Sequence, residues 1–451
     1  MKNNKINLLK GPVAWTILKM AGGMLFGFAA MSAFNAIDTY FVGQLGSAEL
    51  AAMSFTFPIV MLLNSISMGL GIGISSVVSR AIGSRDHNKV QRLTTDGLVL
   101  AVLVVLVASV CGIITIRPLF RLLGASGQTL NLIQDYMFIW YIGLPFVVIP
   151  MAGNNAIRAT GDTLTPSVIM IAAVVINVVL DPLLIFGTGP FPHMGIAGAA
   201  LATVIARFST LLFSLGILAF REKLLSFERP GPAEVLSSWK QIAFIGVPAA
   251  LVQIINPLSL GVITRLLAQF GENVVAGFGV AGKIEMLVLI IPMALASVMA
   301  PFAGQNWGAK NIRRIIRAFR FSSLSCVIWG VFLFLGFTFL AEPVLGLFSS
   351  DAGIVQAGSM YVRIVSISYG FSGVLFIASQ SFSAMNRPLE SAGITLLKAF
   401  IINIPLAFLG ACFLHETGIF TASLLTNLSG GIAGFFILFN FLKRNTKSQT
   451  T

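Results

Sequence analysis

The feature that most constrains this chain is a succession of apolar runs, each long enough to cross a bilayer and separated by short polar loops. A helical span needs about 20 predominantly apolar residues to cross ~30 Å of hydrocarbon. Runs of that kind fall near 14–42, 52–78, 93–116, 131–153, 166–187, 195–219, 240–268, 275–300, 321–342, 357–381, 391–414 and 418–441. The expected fold is therefore an all-α integral membrane protein of twelve transmembrane helices. A barrel is excluded, because the runs are too long and lack two-residue alternation. Composition closes the other routes. Only 10% of the 451 residues are charged and 56% are hydrophobic, against about 25% charged in an ordinary soluble domain. A soluble enzyme is excluded, and 37 Phe exceed what a disordered chain tolerates. The opening MKNNKINLLKGPVAWTILK has a basic flank, then an apolar run to about Phe41 without a clean small-residue cleavage site. It reads as an uncleaved first span rather than a signal peptide. The Gly-rich MGLGIGISS in the second run leaves both a continuous and an irregular helix open.

The formal charge of +13 is distributed between apolar runs rather than on one basic face, so no nucleic-acid partner is indicated. With an even number of spans, both termini lie on one side, and Lys/Arg placement says which. Lys2, Lys5, Lys10, Arg80, Arg85, Lys89, Arg92, Arg158, Arg221, Lys223, Arg229, Lys240, Lys310, Arg313, Arg314, Arg317, Arg320, Arg387, Lys443, Arg444 and Lys447 fall on one face. That is 21 of 29, against Arg117 and Arg121 alone on the other. Both termini are expected in the cytoplasm.

The chain also repeats itself at an offset of 225 residues. QLGSAELAAM at Gln44 returns as QFGENVVAGF at Gln269, and Gly83, Pro118, Tyr136 and Ala159 return as Gly308, Pro343, Tyr361 and Ala384. An offset of six spans preserves helix direction, so the repeat is parallel, with two six-helix lobes related by an axis along the membrane normal. The expected division is an amino-terminal lobe over 1–220, a polar cytoplasmic linker over 221–239 containing RPGP, and a carboxy-terminal lobe with a short basic tail over 240–451. The linker also offers a short interfacial helix.

Ionisable groups inside a bilayer are expensive and mark function by default. Asp38 lies in the first span; Asp181 lies in the fifth, with Asn177 one turn before it on the same face. At about 1.5 Å per residue, Asp38, Asp181, Asn177 and Thr203 of the sixth span lie roughly 6, 9, 15 and 12 Å from the outer face. Packed together they would offer carboxylate, amide and hydroxyl oxygens. Two carboxylates close together in a low dielectric are expected to hold one proton near neutrality, and hard oxygens equally suit Na⁺. The repeat places Ile263 opposite Asp38 and Leu406 opposite Asp181, so the carboxylates belong to one lobe and not to the fold. Pro182 removes a backbone donor and loosens the helix beside Asp181. In the second lobe, Glu285 and Lys283 are either substrate contacts or members of structural pairs; two residues apart, they do not face each other. Arg207, one turn from Thr203, is placed to compensate an aspartate. Arg265, Arg363, Lys19 and Lys398 read as snorkelling side chains near span ends.

Other motifs carry no chemistry. Cys111, Cys326 and Cys412 lie in apolar segments without metal spacing and read as small buried hydrophobes. His87, His193 and His415 are far apart in membrane order. GLGIG at 69–73 lacks the strand–turn–helix context of a phosphate loop, and no G-K-[ST] follows. No metal, cofactor or enzyme activity is expected.

NAIDTYFVGQLG, SRAIGSRD, RATGDTLTP and above all NVVLDPLLIFGTGPFPHMGIAGAALAT resemble the multidrug and toxic compound extrusion family, in its DinF-like rather than its NorM-like branch, over essentially the whole chain. The resemblance implies a bacterial inner-membrane exporter of varied, mostly cationic organic compounds, exchanged for H⁺ or alternatively Na⁺ by alternating access, acting as a monomer and contributing to antibiotic resistance. Carried onto this sequence it makes Asp38, Asn177, Asp181 and Thr203 the ion-coupling group. Family members link protonation to a bend of the first span at a proline; here Gly22 and Gly23 stand instead, and glycine hinges more softly. A lipid-precursor flippase, which shares related lobes, would want a more basic cleft.

Overall fold

The computed structural model describes residues 6–187, 190–228 and 230–447. Lys2, Lys5 and Arg229, counted in the charge asymmetry, lie outside them. The chain is helical almost throughout: α1 Val13–Gly43, α2 Ser47–Gly83, α3 His87–Leu122, α4 Gly127–Ala159, α5 Leu164–Phe186, α6 Ile196–Gly216 and α7 Pro232–Leu267, then α8 Glu272–Val288, α9 Ile290–Gly308, α10 Ile312–Gly346, α11 Ala352–Val365, α12 Tyr369–Ala384, α13 Pro388–Leu396 and α14 Ile404–Lys447. Packing divides it into two compact units, 23–250 and, with 7–22, 251–451. The divisions fall inside α1, between Gly22 and Gly23, and inside α7, rather than in the polar loop.

In the amino-terminal unit α4 is the hub, with α2, α3 and α6 against it and α5 against α6. Its core joins Ile133, Met137, Tyr141 and Leu144 of α4 to Ile74 and Val78 of α2 and Ala101 and Val105 of α3. Of the two forms open at MGLGIGISS the helix is continuous, and α2 runs unbroken to Gly83. Its glycines serve close approach instead. A Cβ on Gly73 would stand 2.6 Å from the Ile242 carbonyl, and one on Gly69 would strike the backbone of Gly246 in α7. Small residues at such crossings let helix backbones touch where lipid provides no hydrophobic drive.

Asp162, of the RATGD motif, has a structural task in this unit. Its carboxylate accepts from the Thr165 backbone N–H at 3.0 Å and the Thr165 hydroxyl at 2.6 Å, capping α5. It also pairs with Arg221, which donates to Glu222 at 3.0 Å. Removing one partner of so buried a pair costs about 3–5 kcal/mol. The chain is non-helical over 222–228, but 232–239 extend α7 rather than forming a separate interfacial helix.

In the carboxy-terminal unit α12 packs on α9, α10 and α14, and α8 on α11. The segment before α1 is held here: Asn306 donates to the Leu8 carbonyl at 3.1 Å and Arg314 to that of Gly11 at 2.8 Å. α8 and α9 meet at a 45° bend. Pro388–Thr446 is one helical stretch of 59 residues, which straight would be roughly 90 Å long, three times the hydrocarbon thickness. It is not straight. His415 takes φ 56 and ψ −139, and Gly410 and Gly418 touch backbone to backbone, which makes the stretch a tight hairpin. Among the cysteines only Cys326 is buried; Cys111 and Cys412 are exposed on the surface of their helices, where a bilayer would cover them.

Candidate ion-coupling and binding sites

α5 presents Asn177 and Asp181 one turn apart, both with no solvent exposure. The Asn177 amide donates to Asp181 Oδ1 at 3.1 Å. Asp181 Oδ2 and Asn177 Oδ1 have no hydrogen-bond partner among the described residues. The helix passes through Pro182 to Phe186, but proline supplies no N–H, so the carbonyl one turn earlier loses its donor. Asp38 is half-buried near the end of α1, five residues before Gly43 as Asp181 is five before Phe186. Its charge acts on Asp181, on the buried Tyr136 of α4 and on Arg207 of α6. The Arg207 guanidinium lies 4.6 Å from the centre of the Phe34 ring. One side thus carries two carboxylates, an amide and a phenol, with one guanidinium across from Asp38. Thr203 is half-buried one turn before Arg207; no hydrogen bond among the described residues joins it to either aspartate.

Gly22 and Gly23 are helical, yet their surroundings differ. Nothing lies within 4 Å of a Cβ added at Gly22, whereas one at Gly23 would stand 2.7 Å from Thr163 Oγ1. The Gly23 carbonyl accepts from the Ser167 hydroxyl at 2.6 Å. Gly23 therefore belongs to a fixed contact between α1 and α5, and Gly22 to open space.

The carboxy-terminal unit holds a second cluster. Glu285 of α8 accepts from Tyr361 Oη at 2.7 Å and from Tyr369 Oη at 3.5 Å. Its opposite charge is Lys398, carried by a π-helical turn over Leu397–Asn403. Such single wide turns redirect a side chain that a regular helix would aim elsewhere. The Lys398 stem lies 3.2 Å from a Cβ added at Gly430 on α14, a tight approach that a larger residue there would crowd. Lys398 is no snorkelling end residue. Lys283 is exposed and does not share the face of Glu285. Tyr361 is held by edge-on contacts with Phe278 and Phe420, ring centres 5.1 Å apart in each case. Lys19 and Arg265 are exposed, and Arg363 pairs with Glu342 at 3.1 Å.

Tyr136, Tyr361, Tyr369 and the pairing role of Lys398 were not visible as site features in the sequence. A signal existed for the tyrosines. The chain has only 5 of them, and three stand beside carboxylates inside spans.

Long apolar helices that bury isolated ionisable clusters define a membrane carrier. The comparisons with known proteins agree. The MatE family pattern matches residues 24–183 and 248–409. The FAD transporter of Shewanella oneidensis is 37% identical over 430 residues, 95% of each chain. The multidrug export protein MepA of Staphylococcus aureus is 25% identical over 97% of this chain and 96% of its own. The MATE transporter VcmN of Vibrio cholerae in its bent form is 29% identical and superposes with a TM-score of 0.91, covering 96% of this chain and 98% of that one. This chain belongs to the MatE family. It is a secondary transporter of the multidrug-resistance class and not an enzyme, with the all-α, two-lobe architecture of a multi-pass bacterial membrane protein.

Proposed function

We propose that the protein exports varied, mostly cationic organic compounds in exchange for H⁺ by alternating access, with Asp38, Asn177, Asp181 and Thr203 as the coupling group. The observation that carries this reading is the solvent-free Asp181 oxygen without a hydrogen-bond partner among the described residues. An ionised oxygen left so is costly, and a proton or a small cation removes the cost. Na⁺ on the same oxygens is the alternative. Efflux from sealed vesicles, with pH and Na⁺ gradients imposed separately, decides between them. Export that stops when the pH gradient is collapsed in Na⁺-free buffer supports H⁺; persistence that depends on Na⁺ moves the assignment to Na⁺.

A second reading concerns the cargo. The 37% identity with a protein named an FAD transporter favours a flavin dinucleotide. Lys398, half-buried within a span, offers a cation to an anionic cargo. Counterflow of FAD against that of a lipophilic organic cation, in the same proteoliposomes, separates the two cargoes.

The reading extends to topology: twelve spans, both termini cytoplasmic, and two parallel repeats over 1–220 and 240–451 joined by 221–239, in the DinF-like branch. Helix boundaries support the repeat. α2 ends at Gly83 and α9 at Gly308; α3 begins at His87 and α10 at Ile312; α4 covers Gly127–Ala159, and α11 with α12 covers 352–384. All are 225 apart. The hairpin at His415 and the bend between α8 and α9 support a count of twelve. A cysteine introduced at Ser84 or Asn311 should react only with reagents that reach the cytoplasm; labelling from outside in intact cells overturns the orientation.

A further inference from the structure

In the carboxy-terminal unit, α10, α12 and α14 leave a groove of about 310 Å³ lined by Arg320, Ser323, Leu324, Ile432, Phe435 and Phe436. Gly431 sets its floor, because the missing Cβ lets α14 lie on the Phe371 backbone. The walls are apolar and open outward, with Leu324 and Phe436 60% and 56% exposed. On a membrane span that surface faces acyl chains.

Arg320, the one cation in the lining, has a second cation for a neighbour across a ring outside it. The Arg320 guanidinium lies 4.8 Å from the centre of the Phe439 ring and the Lys443 ammonium 4.6 Å from the same ring. Phe435 stacks on Phe439 and on Phe319, with ring centres 5.7 and 5.2 Å apart, so the platform under both cations is fixed. Among the described residues neither Arg320 nor Lys443 has a carboxylate within salt-bridge distance. Two cations near one ring attract an anion more strongly than either does alone. Ser323 is 3% exposed, and its hydroxyl has no hydrogen-bond partner among the described residues. Most buried hydroxyls bond a nearby acceptor, and here the acceptor would come from the groove. Arg320 is eight residues into α10 from Ile312, roughly 12 Å along the axis, at the helix end that also carries Arg313, Arg314 and Arg317. That is where headgroups meet hydrocarbon.

We propose that this groove binds one anionic phospholipid. Its phosphate lies between Arg320 and Lys443, an ester carbonyl accepts from Ser323, and an acyl chain runs along Leu324, Ile432 and Phe436. Basic pockets between spans near a headgroup layer recognise lipids by this chemistry, with roughly fivefold in affinity per well-placed cation.

The test uses the full-length protein, purified and offered phosphatidylglycerol and phosphatidylethanolamine in equal amounts, with retained lipid read by native mass spectrometry. One phosphatidylglycerol should stay bound under activation that strips phosphatidylethanolamine. The double variant Arg320→Gln/Lys443→Gln should lower that retention by tenfold or more. Leu324→Trp, which fills the groove without changing charge, should also displace the lipid. Arg313→Gln/Arg317→Gln removes two charges from the same helix outside the groove and should leave retention intact. Equal retention of the two lipids by the parent protein overturns the proposal, as does equal loss in the control pair. Should the double variant not fold, the parent competition and Leu324→Trp still decide.

Discussion

Asp181 in the amino-terminal unit and Glu285 in the carboxy-terminal unit are both carboxylates inside spans, each with a tyrosine close by, yet their surroundings differ. Glu285 accepts two phenolic hydrogen bonds and faces Lys398, so its cluster is formally neutral when both groups are ionised. Asp181 accepts only an amide, keeps one oxygen unbonded among the described residues, and stands in the field of a second carboxylate. With Asp38 and Arg207 included, its cluster carries a formal charge of −1 when all three groups are ionised. A neutral, bonded cluster holds its shape without a guest, whereas a site one charge short is completed by one proton or one monovalent cation. The tyrosines Tyr136 and Tyr361 are 225 residues apart, but the same offset in sequence pairs Asp181 with Leu406 and Glu285 with Val60. Each unit thus sets its own carboxylate, from a different helix, beside the same tyrosine position.

The sharpest way to break this comparison is to neutralise each carboxylate. Asp181→Asn should reduce gradient-driven export to the level of empty vesicles while folded protein remains in the membrane. Glu285→Gln should change apparent substrate affinity by no more than about tenfold, or ~1.4 kcal/mol. A dead Glu285→Gln beside an active Asp181→Asn reverses the roles of the units.

The next largest effect lies in the neutral pair itself. Lys398→Met removes the cation whose charge acts on Glu285 and should destabilise the protein, read as a lower unfolding temperature in detergent. Adding Glu285→Gln should recover much of that loss. Strictly additive single and double variants would mean that the two groups do not interact.

A smaller contrast separates the tyrosines. Tyr361→Phe removes a 2.7 Å bond to Glu285 and should lower stability by about 1.5–3 kcal/mol. Tyr136→Phe removes no hydrogen bond to a carboxylate among the described residues and should barely move the unfolding temperature. Equal shifts for the two would erase the distinction between a bonded and an unbonded carboxylate.

The smallest effect concerns motion. Gly22→Ala meets open space and adds helix propensity of roughly 1 kcal/mol, so export should slow with substrate affinity unchanged. Gly23→Ala is the poorer variant, because its methyl would press on Thr163 and confuse stiffening with a clash. Export by Gly22→Ala at the parental rate would mean that α1 does not bend there.

The all-α membrane class and the placement of Asn177 one turn from Asp181 were legible in the residues. Both are local consequences of apolar run length and of helical spacing, which a linear pattern records. The form of the helix at MGLGIGISS was not legible, because glycine weakens a helix and also admits a neighbouring backbone. Which of these prevails depends on whether Gly246 of α7 lies opposite, and spacing along one chain does not contain that. Lys398 was misplaced for a related reason: it sits on a π-helical turn and its charge acts on Glu285, more than a hundred residues earlier in sequence. Sequence by itself therefore determined the solvent, the class of fold and the carboxylates that pay for being buried. Tertiary structure alone decided their partners, because charge balance in a low dielectric is set by distance in space, and distance between spans is set by packing.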